Sequence, residues 1–171
     1  YTDFTLLTAD PEICEDVNEV FEFLKYNYRR PDYKHLLVSP HTSRGGIMRL
    51  IDEEIANARQ GFRAQLFFKC NNLVDGQLTL KLYEASQAGV EVKLIVRGMC
   101  SILPGVTGIS ENIKAISIID RFLEHPRVYV AHNRGEPKYY IGSADLMTRN
   151  IDYRVEVICP VKDARAQTML Q

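Results

Sequence analysis

The sequence predicts an α/β fold organised around a parallel sheet, and three observations carry that prediction. Between His35 and Val96, apolar strand-like runs alternate with helical stripes at short intervals, as strand–helix–strand–helix–strand. Beyond Gly98 the pattern changes to shorter β-type runs that include a hairpin signal. The 171 residues are 46% hydrophobic and 25% charged, enough for one domain with a sizeable core. No apolar run approaches the roughly 18–20 residues that span a bilayer, and no basic start or apolar stretch marks a signal peptide. The chain starts without Met and is read as an excised piece, a single domain over residues 1–171.

Asp10-Pro11 opens the first helix, an N-cap acceptor followed by proline at the first helical position. Ile13, Val17, Val20, Phe21 and Leu24 recur at helical spacing and are expected to form its buried stripe. The run from Tyr28 to Asp32 ends it. His35–Ser39 reads as a short buried strand, followed by a helix capped near Thr42 or Ser43 and stopped by Gly61. Ile47, Leu50, Ile51 and Ile55 make that helix's inner face. Ala64–Lys69 is the next strand, Asp75 caps the next helix, and Val90–Val96 alternates and then turns fully apolar, as a central strand does. A loop over 98–112 leads to a β-branched run, Ile113–Ile119. Arg127–Ala131 and Lys138–Gly142 flank the polar turn 133–136 as a hairpin, and Val155–Ile158 is a last strand.

Charge is unevenly placed although the total is −1. Residues 1–28 hold seven acidic residues against Lys25, while the remainder holds 15 acidic and 20 basic. Local patches, not totals, decide whether a cleft attracts phosphate. Cys14, Cys70, Cys100 and Cys159 show neither a CxxC pair nor a zinc spacing, and read as buried or incidental thiols of a reducing cytoplasm.

Three features could carry chemistry. Arg97 follows the presumed central strand at its carboxyl end, where ligands of open α/β sheets bind, and a guanidinium there suits phosphate. The alternative is an arginine paired with a carboxylate at the sheet edge. His125 lies in a charged, turn-like segment, Arg121-Phe-Leu-Glu-His-Pro-Arg127, where an imidazole serves as nucleophile, acid or base or is simply a loop residue. Ile141-Gly-Ser-Ala-Asp145 lets backbone approach a ligand closely. With a histidine 17 residues earlier, it resembles the phospholipase D superfamily, although His125-Pro126-Arg127 departs from that family's His-x-Lys. His35, His41 and His132 are assigned no role.

End to end, the chain is similar to the second, C-terminal catalytic domain of polyphosphate kinases, relatives of phospholipase D in fold. The matching stretches are Tyr1–Asp10, Lys69–Asp75, Leu82–Ser86, Leu94–Cys100, Pro104–Ile113, Arg121–His125, Ile141–Asp145 and Arg149–Glu156. Leu146 stands where the family usually has tryptophan, and the hairpin turn at 132–137 is rich in charge. The resemblance implies a phospholipase D-like three-layer sandwich, with a mixed, largely parallel central sheet and helices on both faces. It further implies reversible transfer of the ATP γ-phosphate to the end of a polyphosphate chain through a phosphohistidine on the preceding domain. Magnesium would be held mainly by that domain, with no metal site here. Tyr1, Arg97 and His125 carry over as the ATP-contacting set, with His125 also catalytic. Lys69, Asn71, Arg127, Arg149 and Arg154 are candidates to line a polyphosphate path.

Expected partners are ATP or ADP, inorganic polyphosphate and the rest of the polypeptide. The whole enzyme is expected to be a cytoplasmic homo-oligomer, with peripheral membrane association as an option, and no nucleic acid is expected. The isolated fragment is expected to be inactive. Two other readings stay open: a phospholipase D-type phosphodiesterase or nuclease, and a non-catalytic polyphosphate-binding or assembly module.

Overall fold

In the computed structural model, residues 1–170 are described. The elements, in order, are α1 (Pro11–Lys25), β1 (Leu37–Ser39), α2 (Ser43–Arg59), β2 (Gln65–Cys70), α3 (Gly76–Gln87) and β3 (Glu91–Val96). They continue with β4 (Ile113–Ile116), β5 (Arg127–Ala131), β6 (Lys138–Gly142), α4 (Thr148–Asp152), β7 (Glu156–Pro160) and α5 (Ala164–Thr168). The strands form one seven-stranded sheet in the order β1-β7-β6-β5-β2-β3-β4.

The sheet is mixed. Only β2–β3 and β3–β4 pair in parallel, and the other neighbours are antiparallel. Following the pairings across the sheet, β1, β2, β3, β4 and β6 nevertheless point the same way, with β5 and β7 reversed between them. The strand–helix alternation therefore predicts strand direction but not adjacency: the hairpin and β7 slot between β1 and β2. As a result the carboxyl ends of β2, β3 and β6 share one edge with the start of β5.

Alternating burial splits the sheet into two faces. Leu66, Phe68, Val92, Leu94, Tyr129 and Ile158 form the main core with Ile47, Ile51 and Ile55 of α2 and Leu78 and Leu82 of α3. On the opposite face α1 covers β1 and β7 through Ile13, Val20, Leu36, Val38 and Val157. Helices thus lie on both faces, as the three-layer expectation requires.

The α1 stripe differs from expectation. Ile13, Asp16, Val20 and Phe23 are buried, whereas Phe21 and Leu24 are 65% and 56% exposed and Val17 is 38% exposed. The reason is polar. The Asp16 carboxylate accepts the backbone N–H groups of Lys34, His35 and Leu36, at 3.2, 2.7 and 2.8 Å, so its side of the helix must face the chain entering β1. The run after Asn112 is also shorter as a strand than expected. β4 stops at Ile116 because it is an edge strand whose one neighbour, β3, ends at Val96. The short helices α4 and α5 were not anticipated from the sequence. Cys70 is buried, Cys159 half-buried and Cys14 and Cys100 exposed, all free. Among the described residues no helix is long and apolar enough to cross a membrane.

Candidate functional site

The loops leaving β2, β3 and β6 are stitched together at the carboxyl edge of the sheet. Gly98 N–H donates to Asn71 O, Leu73 N–H to Met99 O, and Leu146 N–H to Asn72 O, at 2.8, 2.8 and 3.0 Å. This close approach explains two glycines. A Cβ on Gly98 would lie 2.6 Å from Asn72 Oδ1, and one on Gly142 would lie 2.5 Å from Val157 O. The Gly-Ser-Ala turn is thus first a packing requirement, and it delivers Asp145 beneath the site.

On this floor Arg97 extends from the end of β3. Its Nε donates to Asn71 Oδ1 at 2.8 Å, and Asn71 is itself buried. Fixing Nε leaves the terminal fork of the guanidinium aimed but unspent. Arg97 has no carboxylate partner among the described residues, which disposes of the edge-pairing alternative.

The first three residues reach this edge as a strap. Thr2 N–H donates to Leu123 O at 2.9 Å and His125 N–H to Thr2 O at 3.1 Å, so residues 1–3 run beside 123–125. Tyr1, 86% exposed, stands with its ring 5.3 Å from that of His125. Asp3 Oδ2 lies 2.6 Å from His125 Nδ1. Burial pushes the Asp3 carboxyl up, but the His125 hydrogen bond, the Phe4 N–H and the nearby Arg127 charge outweigh it and hold it below its ordinary value. Arg127 packs on the same imidazole, with Nη1 3.0 Å from Nε2, while its Nε donates to Asp145 Oδ1 at 3.1 Å. Lys69 pairs with Glu124 at 2.5 Å, and Glu124 also accepts from Thr2 Oγ1, at 3.1 Å. The Lys69 hydrogen bond holds the Glu124 carboxyl below its usual range.

Tyr1, Lys69, Asn71, Arg97, His125 and Arg127 are therefore brought together. Three of them carry structural duties already: Asn71 orients Arg97, Lys69 is neutralised by Glu124, and Arg127 by Asp145. Arg149 and Arg154, on α4 and just past it, are exposed and make no side-chain contact with this network among the described residues. Sequence reasoning missed Asp3, Glu124 and Asp145 as partners. Asp3 and His125 are 122 residues apart, and no local spacing signals their meeting. A concavity of about 690 Å³ beside Phe23, Arg30 and His41 shares no residue with the network.

With this geometry in view, comparison with known proteins is decisive. Residues 36–171 match the model of the polyphosphate kinase C-terminal domain 2. The chain belongs to that family. It is 58% identical over 165 residues to the polyphosphate kinase of Vibrio parahaemolyticus serotype O3:K6, covering 96% of this chain and 24% of that protein. The crystal structure of the Porphyromonas gingivalis polyphosphate kinase superposes with a TM-score of 0.91 at 38% identity, over 95% of this chain and 25% of that one. NucT from Helicobacter pylori, at TM-score 0.58 and 13% identity over 79% of this chain and 88% of its own, shares the fold alone. So does Nuc from Salmonella typhimurium, a phospholipase D family member, at TM-score 0.52 and 15% identity over 79% of this chain and 87% of its own. The polyphosphate kinase domain thus has a phospholipase D-like α/β fold, and the chain spans about a quarter of the length of the curated relatives it matches.

Proposed function

We propose that this domain supplies one wall of the active site of a polyphosphate kinase, which reversibly transfers the ATP γ-phosphate to the end of an inorganic polyphosphate chain. One observation supports this most: Arg97 is a guanidinium held by a neutral amide, free of any carboxylate among the described residues, at the edge that also presents His125 and Tyr1. Phosphoryl transfer needs positioning and neutralisation of charge on the equatorial oxygens rather than covalent work by the protein. Arg97 would grip the β- and γ-phosphates through paired donors. The Tyr1 hydroxyl, exposed above His125, would donate a hydrogen bond to a phosphate oxygen. His125, held by Asp3, would pass a proton to or from the reacting phosphate oxygen. The phosphohistidine is assigned to the preceding domain. Arg149 and Arg154, exposed on α4 and just past it, would offer further contacts to the polyphosphate chain. Lys69, Asn71 and Arg127 shape the site from beneath.

Among the described residues no three His, Cys, Asp or Glu side chains converge on a metal position, and in this reading magnesium would be held mainly by the preceding domain and the substrate phosphates. No step here runs through it. The phosphodiesterase reading is disfavoured because the cation two residues after the histidine, Arg127, is already neutralised by buried Asp145.

The test is polyphosphate synthesis from ATP by the full-length parent enzyme carrying His125→Ala or Arg97→Ala. Each should lower kcat by about a hundredfold or more, the range for positioned acid–base and charge-stabilising groups. Near-normal synthesis by both would leave the domain as a binding or assembly module.

A further inference from the structure

We infer that Asp145 is the positioning residue that holds Arg97 and His125 in register, an inference that rests on the transfer reaction proposed above. Its carboxylate lies at the junction of two hydrogen-bonded branches. Oδ1 accepts the backbone N–H of Asn71 at 2.9 Å and Nε of Arg127 at 3.1 Å, and Oδ2 accepts Nδ2 of Asn72 at 3.0 Å. Along one branch, the Asn71 side-chain oxygen accepts Nε–H of Arg97 at 2.8 Å. Along the other, Arg127 places Nη1 3.0 Å from His125 Nε2 and donates to the His125 carbonyl oxygen, also at 3.0 Å. A single carboxylate thus fixes the phosphate-gripping arginine through β2 and the histidine through β5.

The chemistry requires an acid at this position. All three groups aimed at Asp145 are donors, and a carboxylate is acceptor-only. An asparagine would turn an NH₂ group onto the Asn72 amide or the Arg127 guanidinium, donor against donor. Asp145 is 5% exposed, so little water reaches its carboxylate to relieve such a clash. The negative charge has a second effect. It neutralises Arg127, leaving Arg97 as the open cation of the network, so that an incoming phosphate is drawn to one place. Asn72 completes the arrangement, accepting the Met99 N–H at 3.0 Å while packed against Gly98, which fixes the turn after Arg97.

The experiment uses the full-length enzyme and reads kcat and KM for ATP, with thermal unfolding in parallel. Asp145→Asn is expected to lower kcat/KM at least tenfold. Combined with Arg97→Lys, and separately with His125→Gln, it should add less than about threefold, because coupled sites are non-additive. A residue that only supports folding would multiply its loss with both. Should Asp145→Asn not fold, the branches are cut singly. Asn71→Ala should be non-additive with Arg97→Lys but additive with His125→Gln, and Arg127→Gln should show the reverse. Full additivity throughout overturns the inference. So does wild-type kcat/KM in Asp145→Asn beside crippled Arg97 and His125 variants, a result that leaves the transfer reading standing. Wild-type rates in the Arg97→Ala and His125→Ala enzymes would instead remove that reading and this inference together.

Discussion

At the scale of single residues, the Asp3–His125 contact is the one whose consequence is most direct. A carboxylate bonded to Nδ1 selects the imidazole tautomer and its ring plane, leaving Nε2 beside Arg127 as the nitrogen that would exchange a proton in the proposed transfer. The pair is half exposed, with side chains 37% and 49% accessible, so its strength falls below that of a buried charge-assisted bond. Asp3→Asn in the parent enzyme keeps the shape and removes the charge. A loss in kcat/KM of roughly five- to tenfold is expected, about 1 kcal/mol of orientation, with thermal stability unchanged. An unaltered rate would mean that the strap merely rests against the histidine. Nothing in the sequence announces this partner. Arg97 and His125 could be singled out because a strand end and a charged turn mark such places locally, whereas Asp3 reaches the site only through the strap's pairing with residues 123–125.

At the scale of elements, one arginine ties the amino ends of α2 and α3 to the carboxyl end of α4. Arg44, in the first turn of α2, makes paired hydrogen bonds to Asp75, the N-cap of α3, at 2.8 Å each, and to Asp152 at the end of α4, at 2.8 and 2.7 Å. Thr148 Oγ1 adds a bond to Asp75 at 2.7 Å. The Arg44 bond outweighs burial and holds the Asp75 carboxyl well below the usual carboxylate range. A depressed carboxyl contributes its stability above its unfolded value, near pH 4, and loses it as pH falls through the folded one. Asp75→Asn keeps an N-cap acceptor but removes the charge. It is expected to cost roughly 2–3 kcal/mol at pH 7, less than a fully buried pair because Arg44 is 23% exposed and keeps Asp152. It should also flatten the acid limb of stability below about pH 4. Denaturant unfolding from pH 7 down to pH 3 checks both, and an unchanged acid limb would put the sensitivity elsewhere. Element types were largely legible because 3.6- and 2-residue periodicities are local. The inward face of α1 was not, because Asp16 turns it by bonding backbone 18 to 20 residues away. Nor was the reversal of β5 and β7, which depends on where a hairpin inserts. The short helix α4 carries too few residues to show a period, yet Arg44 and Thr148 tie it to both neighbours.

At the scale of the whole molecule, the site is an edge rather than a cleft. Arg97, His125 and Tyr1 line one side, and a concavity of about 690 Å³ lies elsewhere, against Phe23, Arg30 and His41. An edge offers phosphate a grip but excludes little water, and transfer to an acceptor other than water needs exclusion and a second set of groups. In the proposed reaction those groups would come from the preceding domain, and the chain spans about a quarter of the length of its curated relatives. Its own core is extensive: the main cluster runs from Ile47 to Ile158 with many side chains fully buried, and α1 adds a second. Residues 1–171 expressed alone are therefore expected to fold cooperatively and to bind tripolyphosphate weakly. That binding should fall steeply with salt, because an exposed cationic edge is screened within a Debye length of about 10 Å at 0.1 M. ATP-dependent polyphosphate synthesis should be absent. Calorimetric titration with tripolyphosphate at two salt concentrations, beside a synthesis assay on the same sample, checks all of this. Salt-insensitive binding would point away from Arg97 and its neighbours as the grip. Sustained synthesis by the isolated chain would show that this edge is a complete active site, and the division of labour between two domains would have to be abandoned.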